Sequence, residues 1–451
     1  MAKPKQQFVC QQCAATYSKW MGRCENCGEW NTLVEQAPVQ AGKSAVDRSS
    51  ASGSVLAAQT LGSIDPEERI GRLATGIADL DTVLGGGVLP GGVTLLAGQP
   101  GMGKSTLLLQ VSAHIAKSHS VLYASGEESA HQVKQRAERL GAHGEEQLGF
   151  VSSTSADDIA ATIRSGKYQL IVIDSIQTLS LAEISSAPGT VSQITNSSNV
   201  VIRAAKETGA AVILVGHVTK EGSIAGPKVL EHLVDVVLQF EGDRYGGFKL
   251  VRAVKNRYGS TNEAAIFEMD EKGLRVVENP SAALLAERRD EDGSVVLATL
   301  EGNRPLLVEI QALVNPTSFG YPKRTASGFD LNRLNLLIAV LERRTKLKLS
   351  DKDVYINVVG GMKLSDPAAD LAVCMAIASA AAGRKLAKGT VVFGEVGLGG
   401  EVRSAKGVDK RIAESKKLGF THALAPAQYK PNVFIKEVAD MRSALVEYLQ
   451  K

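Results

Sequence analysis

Eight consecutive residues, Gly98-Gln-Pro-Gly-Met-Gly-Lys-Ser105, have the types and spacing that bind phosphate. They match the pattern G-x4-G-K-[ST] in full, between a strand-like apolar run and a helix-like stretch. The glycines let backbone N–H groups surround phosphate oxygens, Lys104 neutralises β- and γ-phosphate charge, and the Ser105 hydroxyl ligates Mg²⁺. The pattern predicts a nucleotide site made of Gly98, Gln99, Pro100, Gly101, Met102, Gly103, Lys104, Ser105 and Thr106.

Acidic side chains at strand ends complete the predicted chemistry. Asp174 ends the run LIVID and is expected to hold Mg²⁺, directly or through water; a turn-capping role is the alternative. Glu127 is the expected base that orients the attacking water, with Glu128 as alternative, or both acids begin a helix. His217 ends another strand, where it either senses the γ-phosphate or is simply hydrogen-bonded. The predicted catalytic residues are Lys104, Glu127 and Asp174.

Two cysteine pairs, Cys10-x2-Cys13 and Cys24-x2-Cys27, provide four thiolates for a tetrahedral Zn²⁺ ion. A redox pair is the alternative, but its usual βαβ context is absent. A segment this short cannot bury a useful core, so the metal is expected to stabilise its fold in a structural role. The fifth cysteine, Cys374, lies in an apolar helical pattern and is expected in the core.

The composition narrows the class of protein that can position these groups. The chain has 451 residues, of which 44% are hydrophobic, which excludes a fully disordered chain. No apolar run is long enough to cross a bilayer, and no secretory signal is evident, so we expect a cytoplasmic protein without a membrane partner. The net charge of +3 gives no bulk argument for nucleic-acid binding, which would need a local basic patch.

Changes in residue pattern predict four segments. Residues 1–35 carry the cysteines, and residues 36–66, rich in Ala, Ser, Gly and Gln, read as a flexible linker. Over residues 67–278, apolar runs alternate with helical patterns, which predicts an α/β fold with a doubly wound, parallel sheet buried on both faces and antiparallel closing strands. Residues 279–451 are expected to form a separate α+β domain.

With these motifs in this order, the chain resembles the bacterial RadA (Sms) DNA-repair ATPases along essentially its whole length. The most specific mark is Lys255-Asn256-Arg257-Tyr258-Gly259, similar to the family's KNRFG motif. The resemblance implies a four-cysteine zinc finger, a RecA-like P-loop ATPase core and a Lon-protease-like C-terminal domain, with ATP, Mg²⁺ and Zn²⁺ as cofactors. It also implies hexameric rings that bind single-stranded DNA, hydrolyse ATP and drive branch migration with the RecA recombinase.

Two basic segments could serve such a motor. Lys255 and Arg257 have the chemistry of a finger reaching a neighbour's γ-phosphate, or of a DNA contact; a basic hairpin turn is the alternative. Residues 219–229, with Lys220 and Lys228, occupy the place of a DNA-binding loop in RecA-like proteins, unless they form a plain solvated loop. An irregular segment at 180–199 would be its companion.

The C-terminal domain lacks the pair that Lon-type proteolysis needs. Ala368 and Arg403 stand where we match the nucleophilic serine and the basic lysine, and arginine cannot act as a base. Ser365 and Lys406 lie nearby and leave an ATP-dependent protease as an alternative, beside an ATP-switched adaptor that does not translocate. We expect a non-proteolytic assembly domain, whose basic side chains form either a DNA-binding surface or solvated helix faces: Arg324, Arg343, Arg344, Lys346, Lys348, Lys410, Arg411, Lys416 and Lys417.

Overall fold

The computed structural model describes residues 7–10, 16–26, 28–30, 32–36, 60, 71–217, 229–242, 247–317, 320–428 and 432–449. The chain forms two compact units, the first of Met1–Gln239 and Val254–Gly259, the second of Phe240–Ala253 and Ser260–Lys451. Apart from Gln36 and Thr60, the predicted linker 36–66 lies outside the described residues. Within the described ranges, no helix combines the length and hydropathy needed to span a membrane.

The cysteine-bearing segment folds as a small antiparallel sheet with the order β2-β1-β3. Its strands are β1 (Gln7–Cys10), β2 (Thr16–Tyr17) and β3 (Leu33–Gln36). Cys10, Cys24 and Leu33 form its buried centre. So small a core gives little hydrophobic stabilisation, which agrees with a segment that depends on a metal.

A parallel sheet with the order β4-β8-β7-β5-β6 forms the centre of the first unit. The strands are β4 (Val93–Gly98), β5 (Val121–Ser125), β6 (Leu148–Ser152), β7 (Leu170–Asp174) and β8 (Ala211–His217), and β9 (Val236–Gly242) lies beside β4. The apolar runs that predicted these strands are buried, except in β6. The sequence predicts that β6 is buried on both faces, but the strand is only half-buried because it lies at the edge of the sheet.

Helices connect these strands, as the alternating pattern predicts. They are α1 (Ala78–Leu84), α2 (Lys104–Ala116), α3 (Ala130–Arg139), α4 (Ala156–Arg164), α5 (Val191–Thr208) and α6 (Val229–Leu233). The expectation of an irregular segment at 180–199 is wrong from residue 191 onward. The side chain of Thr190 accepts a hydrogen bond from the Gln193 N–H and caps α5, and Gly209 ends it in the left-handed conformation.

Most of an antiparallel meander, except the last three residues of β10, and all of a mixed sheet lie in the second unit. β10 (Lys249–Asn256), β11 (Ala264–Asp270) and β12 (Gly273–Val276) pair in sequence, which confirms the antiparallel closing strands. The mixed sheet has the order β15-β16-β14-β13-β17-β20-β21. Its strands are β13 (Ser294–Glu301), β14 (Arg304–Pro316), β15 (Arg324–Ser327), β16 (Lys352–Val358), β17 (Thr390–Val392), β20 (His422–Ala425) and β21 (Ile435–Glu437), while β18 (Glu395–Val396) and β19 (Val402–Arg403) form a separate pair.

The described residues of the second unit form five helices. They are α7 (Pro280–Leu285), α8 (Leu331–Thr345), α9 (Ala369–Ala382), α10 (Val408–Lys417) and α11 (Met441–Tyr448). Helix α9 is almost entirely apolar, with Asp370 and Ser379 as polar exceptions, and it is buried from Ala369 to Ser379, so it is a central helix of this unit. Cys374 lies in it without solvent exposure, which confirms its expected place in the core.

Candidate active site

The phosphate loop joins the carboxyl end of β4 to the first turn of α2, so residues 98–106 form one continuous site. Gly101 and Gly103 have φ of +78° and +107°, where a side chain is strained. The Lys104 ammonium donates hydrogen bonds to the carbonyl oxygens of Gly98, at 2.8 Å, and Gln99, at 2.9 Å. Burial lowers the pKa of Lys104 to about 8, although nearby carboxylates oppose this shift.

Asp174 lies at the carboxyl end of β7, with 4% of its surface exposed. The hydroxyl of Tyr123, on the neighbouring strand β5, donates a hydrogen bond of 2.7 Å to Oδ2 of Asp174. Burial, together with this carboxylate, raises the pKa of Tyr123, so the phenol stays protonated and remains a donor. Tyr123 therefore holds the Asp174 carboxylate in one orientation.

Glu127 contacts Ser175 and the predicted residue His217, and His217 in turn lies beside Lys104. Its Oε1 accepts a hydrogen bond from the Ser175 hydroxyl and lies 3.1 Å from His217 Nε2. The other ring nitrogen, His217 Nδ1, lies 3.3 Å from the Lys104 ammonium. The hydrogen bond with His217 lowers the pKa of Glu127 most, with further lowering from Ser175 and Lys104 against the effect of burial. Glu127 is therefore an ionised acceptor at neutral pH.

Glu128 has a different partner. Its two oxygens accept hydrogen bonds of 2.6 and 2.5 Å from the Arg136 guanidinium, on α3. Helix α3 begins after Ser129, whose side chain forms a capping box with Gln132. Neither glutamate is therefore inside the helix, and the two neighbouring acids are separated by their partners, Glu127 toward Lys104 and Glu128 toward Arg136.

These residues fit a nucleotide with Mg²⁺. Two glycines with positive φ shape the loop, and the buried Lys104 ammonium lies against its carbonyl groups. The loop leads into the N-terminus of α2, a helix of 13 residues, where backbone N–H groups favour an anion. The Ser105 hydroxyl and the Asp174 carboxylate are oxygen donors of the type that Mg²⁺ prefers. The residues that could hold a triphosphate and its cation are all among those that the sequence predicts. Tyr123, Ser175 and Arg136 are supporting residues that the sequence did not reveal.

The KNRFG-like motif is tied to the main chain of the first unit. The Lys255 ammonium donates to the carbonyl oxygens of Glu231, at 2.6 Å, and Val234, at 2.7 Å, and so caps the end of α6. The Asn256 amide donates to Val83 O, and Arg72 donates to Tyr258 O. A side chain at Gly259 would come within 3.1 Å of the Gly85 Cα atom. Lys255 is therefore engaged by carbonyl groups.

Arg257 and its partner Asp235 lie at the amino-terminal end of β4. Arg257 Nη1 lies 3.3 Å from Asp235 Oδ1, and the N–H of Val93, the first residue of β4, donates to Asp235 Oδ2 at 3.0 Å. The phosphate loop follows the opposite end of the same strand. Asp235 is a further residue that the sequence did not single out, because it precedes an apolar strand without a motif around it.

The cysteine module is described in part. Cys10 and Cys24, one from each pair, are both buried, while Cys13 and Cys27 lie outside the described residues. One buried thiol from each pair in a core too small to be stable fits a structural Zn²⁺ site. Trp20 and Trp30 are more than half exposed, and a methyl group at Gly22 would touch both rings. The predicted DNA contacts Lys220 and Lys228 lie outside the described residues.

The second unit shows which C-terminal residues are accessible. Ala368 is buried just before α9, and the exposed side chain of Arg403 pairs with Glu401. Ser365 and Lys406 are exposed. Arg411, expected on a basic surface, is instead 1% exposed; it donates to Ala298 O at 2.5 Å and pairs with Asp366 at 2.7 Å. That expectation is wrong, because Arg411 satisfies buried acceptors.

Three family models match separate parts of the chain. They are described as "AAA domain", at residues 64–223, "Rubredoxin metal binding domain", at 8–35, and "Subunit ChlI of Mg-chelatase", at 334–429. Together with the sheets, they confirm the predicted fold class, a RecA-like P-loop core with a zinc module and a C-terminal Lon-protease-like domain. They also support ATP and Zn²⁺ as cofactors.

Curated relatives match nearly the full length of the chain. "DNA repair protein RadA" of Bacillus subtilis is 49% identical over 95% of this chain and 93% of its own. The protein of the same name from Pseudomonas aeruginosa is 47% identical over 96% of this chain and 95% of its own. The crystal structure of the RadB recombinase is 24% identical, with a TM-score of 0.37, over 46% of this chain and 100% of that chain. On the identity and coverage of its curated relatives, this chain belongs to the family of the DNA repair protein RadA.

Proposed function

We propose that this chain is an ATP-driven motor of recombinational DNA repair, which moves along single-stranded DNA and promotes branch migration with the RecA recombinase. The observation that carries the ATPase part is the connected set Lys104, His217, Glu127 and Ser175. It links a phosphate-binding cation to a carboxylate that can act as base. An exchange of hydrogen bonds at the phosphate is therefore transmitted to the group that activates water.

Each residue of the site has one task in this proposal. Lys104 leaves the carbonyl groups of the loop and neutralises phosphate charge. Ser105 and Asp174 would hold Mg²⁺, which when bound would supply further positive charge beside the phosphates. Glu127, with its lowered pKa, accepts the proton of the attacking water. His217 follows the position of Lys104 and changes the hydrogen bond that Glu127 receives. Tyr123 keeps Asp174 oriented.

The position of the KNRFG-like motif supports a ring. Val93 and Gly98 are five residues apart on β4, roughly 17 Å at the usual rise of a strand. Arg257, held through Asp235 beside Val93, is thus far from the phosphate loop of its own chain. In a hexameric ring, such a cation serves the nucleotide of the neighbouring subunit, which is our proposal for Arg257. A contact with DNA is the alternative for the same side chain.

The remaining proposals concern the other segments. Cys10, Cys13, Cys24 and Cys27 would hold Zn²⁺, and Lys220 and Lys228 would contact DNA phosphates. Residues 67–278 would be the ATPase domain, preceded by the finger 1–35 and the linker 36–66. Residues 279–451 would be an assembly domain without protease activity, since a buried alanine and an arginine paired with Glu401 offer neither nucleophile nor base.

The test compares Lys104→Ala with Lys117→Ala, an exposed lysine after the same helix. We expect Lys104→Ala to abolish ATP turnover, its stimulation by single-stranded DNA, and branch migration, and Lys117→Ala to retain all three. Turnover by the wild-type chain that ignores oligonucleotides, without displacement of a paired strand, would contradict the motor and leave the adaptor. Casein degradation by the wild-type chain would support the protease instead.

A further inference from the structure

Asp235 is a buried carboxylate that accepts hydrogen bonds from distant parts of the first unit. It is 4% exposed and immediately precedes β9. Oδ2 receives the Val93 N–H at 3.0 Å and the Lys206 ammonium at 2.6 Å, and Oδ1 receives Arg257 Nη1 at 3.3 Å. Its backbone N–H donates to Val93 O, and its carbonyl accepts the Arg257 N–H. Asp235 therefore fixes the motif to the start of β4.

The charge of this cluster is positive. Burial opposes ionisation of Asp235, but hydrogen bonds from Lys206 and from the Val93 N–H hold its pKa below the ordinary value. One anion thus faces two cations, Lys206 and Arg257, and one positive charge remains. The two cations share the Asp235 carboxylate unequally. Lys206 makes the shorter contact with it, and Arg257 is held through a single longer contact.

The two cations of the motif differ in what they can still bind. Lys255 donates to carbonyl oxygens of Glu231 and Val234. The Arg257 side chain is 55% exposed. Among the described residues, its guanidinium pairs with one side chain, that of Asp235. A guanidinium has five N–H donors, so most of those of Arg257 are available to another acceptor.

We propose that Asp235 is a positioning residue that aims Arg257 at the triphosphate bound by a second copy of this chain, with Lys206 balancing the charge of Asp235. The inference rests on the proposed role of Arg257 in a neighbour's site. It assigns the phosphate contact to Arg257 and gives Lys255 the task of holding the end of α6. A displaced guanidinium loses much of its stabilising effect on the transferred phosphoryl group, since small errors of placement are costly there.

The experiment measures DNA-stimulated ATP turnover of Asp235→Asn, with Asp157→Asn, an exposed aspartate of α4, as control. We expect kcat to fall about tenfold or more in Asp235→Asn while KM for ATP stays within about twofold, because the phosphate loop is untouched. The Asp157→Asn variant should match the wild type. Unchanged kcat in assembled Asp235→Asn would overturn the inference.

Mixed assemblies show whether the effect crosses between subunits. Lys104→Ala subunits keep Asp235 and Arg257, and Asp235→Asn subunits keep the phosphate loop. An equal mixture should therefore turn over ATP faster than either variant alone. A mixture no faster than the average of the two would overturn the action on a second copy.

Two further variants separate the failure of this inference from that of the proposed function. If Arg257→Ala turns over ATP like the wild type, the role of Arg257 in the neighbour's site fails, and Asp235 has nothing to position. If Arg257→Ala is impaired and Asp235→Asn is not, the role of Asp235 alone is wrong. If Asp235→Asn does not fold, Lys206 provides a second test, because its side chain is half-exposed. Lys206→Met should lower kcat, whereas Lys206→Arg, which keeps the positive charge, should have a kcat close to that of the wild type.

Discussion

His217 Nε2 lies 3.1 Å from Glu127 Oε1, within hydrogen-bond distance. The opposite ring nitrogen lies 3.3 Å from the Lys104 ammonium, which has donors and no acceptor. Nδ1 must then accept, so a neutral His217 carries its proton on Nε2 and donates it to Glu127. The ring therefore bridges the Lys104 ammonium and the Glu127 carboxylate in one defined tautomer.

The first prediction separates the two neighbouring glutamates. Glu127→Gln should lower kcat by about 100-fold or more and leave ATP binding intact, because the base is lost while the phosphate loop is kept. Glu128→Gln removes the contact with Arg136, a partly exposed pair, and should change turnover little. Steady-state kinetics with a fluorescent-nucleotide binding assay measure both, and the reverse ranking would assign the base to Glu128.

The second prediction concerns the proton on Lys104. Since its pKa is about 8 in the unliganded site, roughly three quarters of these side chains are neutral at pH 8.5. Phosphate favours the charged form, so nucleotide binding at pH 8.5 should take up about that fraction of a proton. Calorimetry in buffers of different ionisation enthalpy measures the uptake. Equal uptake by Lys104→Met, which still binds weakly through the loop, would assign the proton elsewhere.

The third prediction uses the two tryptophans of the chain, Trp20 and Trp30. Both lie in the cysteine module, so removal of Zn²⁺ by a chelator should unfold the module and lower the tryptophan fluorescence anisotropy. Cys24→Ser should show the low anisotropy from the start, whereas Cys374→Ala, in α9, should respond like the wild type. Anisotropy unaffected by chelation would contradict a structural metal.

The fourth prediction follows from Glu301, a buried glutamate at the end of β13. Burial raises its pKa to about 7, with Arg252 opposing and Glu241 and Asp366 adding to the shift. A folded-state pKa above the unfolded value of about 4.5 means that this glutamate contributes less stability as pH rises from about 4.5 to 7. The shift corresponds to at most about 3 kcal/mol.

Glu301→Gln should therefore increase the free energy of unfolding relative to wild type at pH 8 more than at pH 5. Urea titrations at both pH values give this difference. Glu287→Gln, an exposed glutamate of the same unit, should show no such dependence. An equal effect of Glu301→Gln at both pH values would mean that Glu301 is ionised throughout that range.

The proximity of several candidate-site residues could be predicted because they stand at or after strand ends. Lys104, Glu127, Asp174 and His217 each follow an apolar run, and the carboxyl ends of parallel strands meet at one edge of a sheet. The helical sequence patterns Lys104–Ser118 and Ala130–Leu140 likewise begin with α2 and α3 and end within two residues of them. Short segments of sequence are therefore sufficient to predict the strands and helices around the phosphate loop.

The remaining features depend on partners far away in sequence. Arg411 is buried because Ala298 O and Asp366 accept its hydrogen bonds, and neither is near it in the chain. Asp235 acquires its role from Val93, more than a hundred residues earlier. In α5, the polar run Thr195–Asn199 resembles a loop, yet the capped helix buries Ser197 and Ser198. No local pattern encodes such contacts.

The phosphate loop and the Asp235 cluster lie at opposite ends of β4, so under the proposed function each subunit donates an arginine at one end and receives one at the other. Under the proposed function, copies stack head to tail. An open array of this kind leaves the phosphate loop of one terminal subunit without a donated arginine. The ATP bound to that subunit is then hydrolysed slowly. Closure of the array into a ring gives every phosphate loop a donated arginine. ATP turnover per subunit should therefore rise in one step when the last subunit completes the ring.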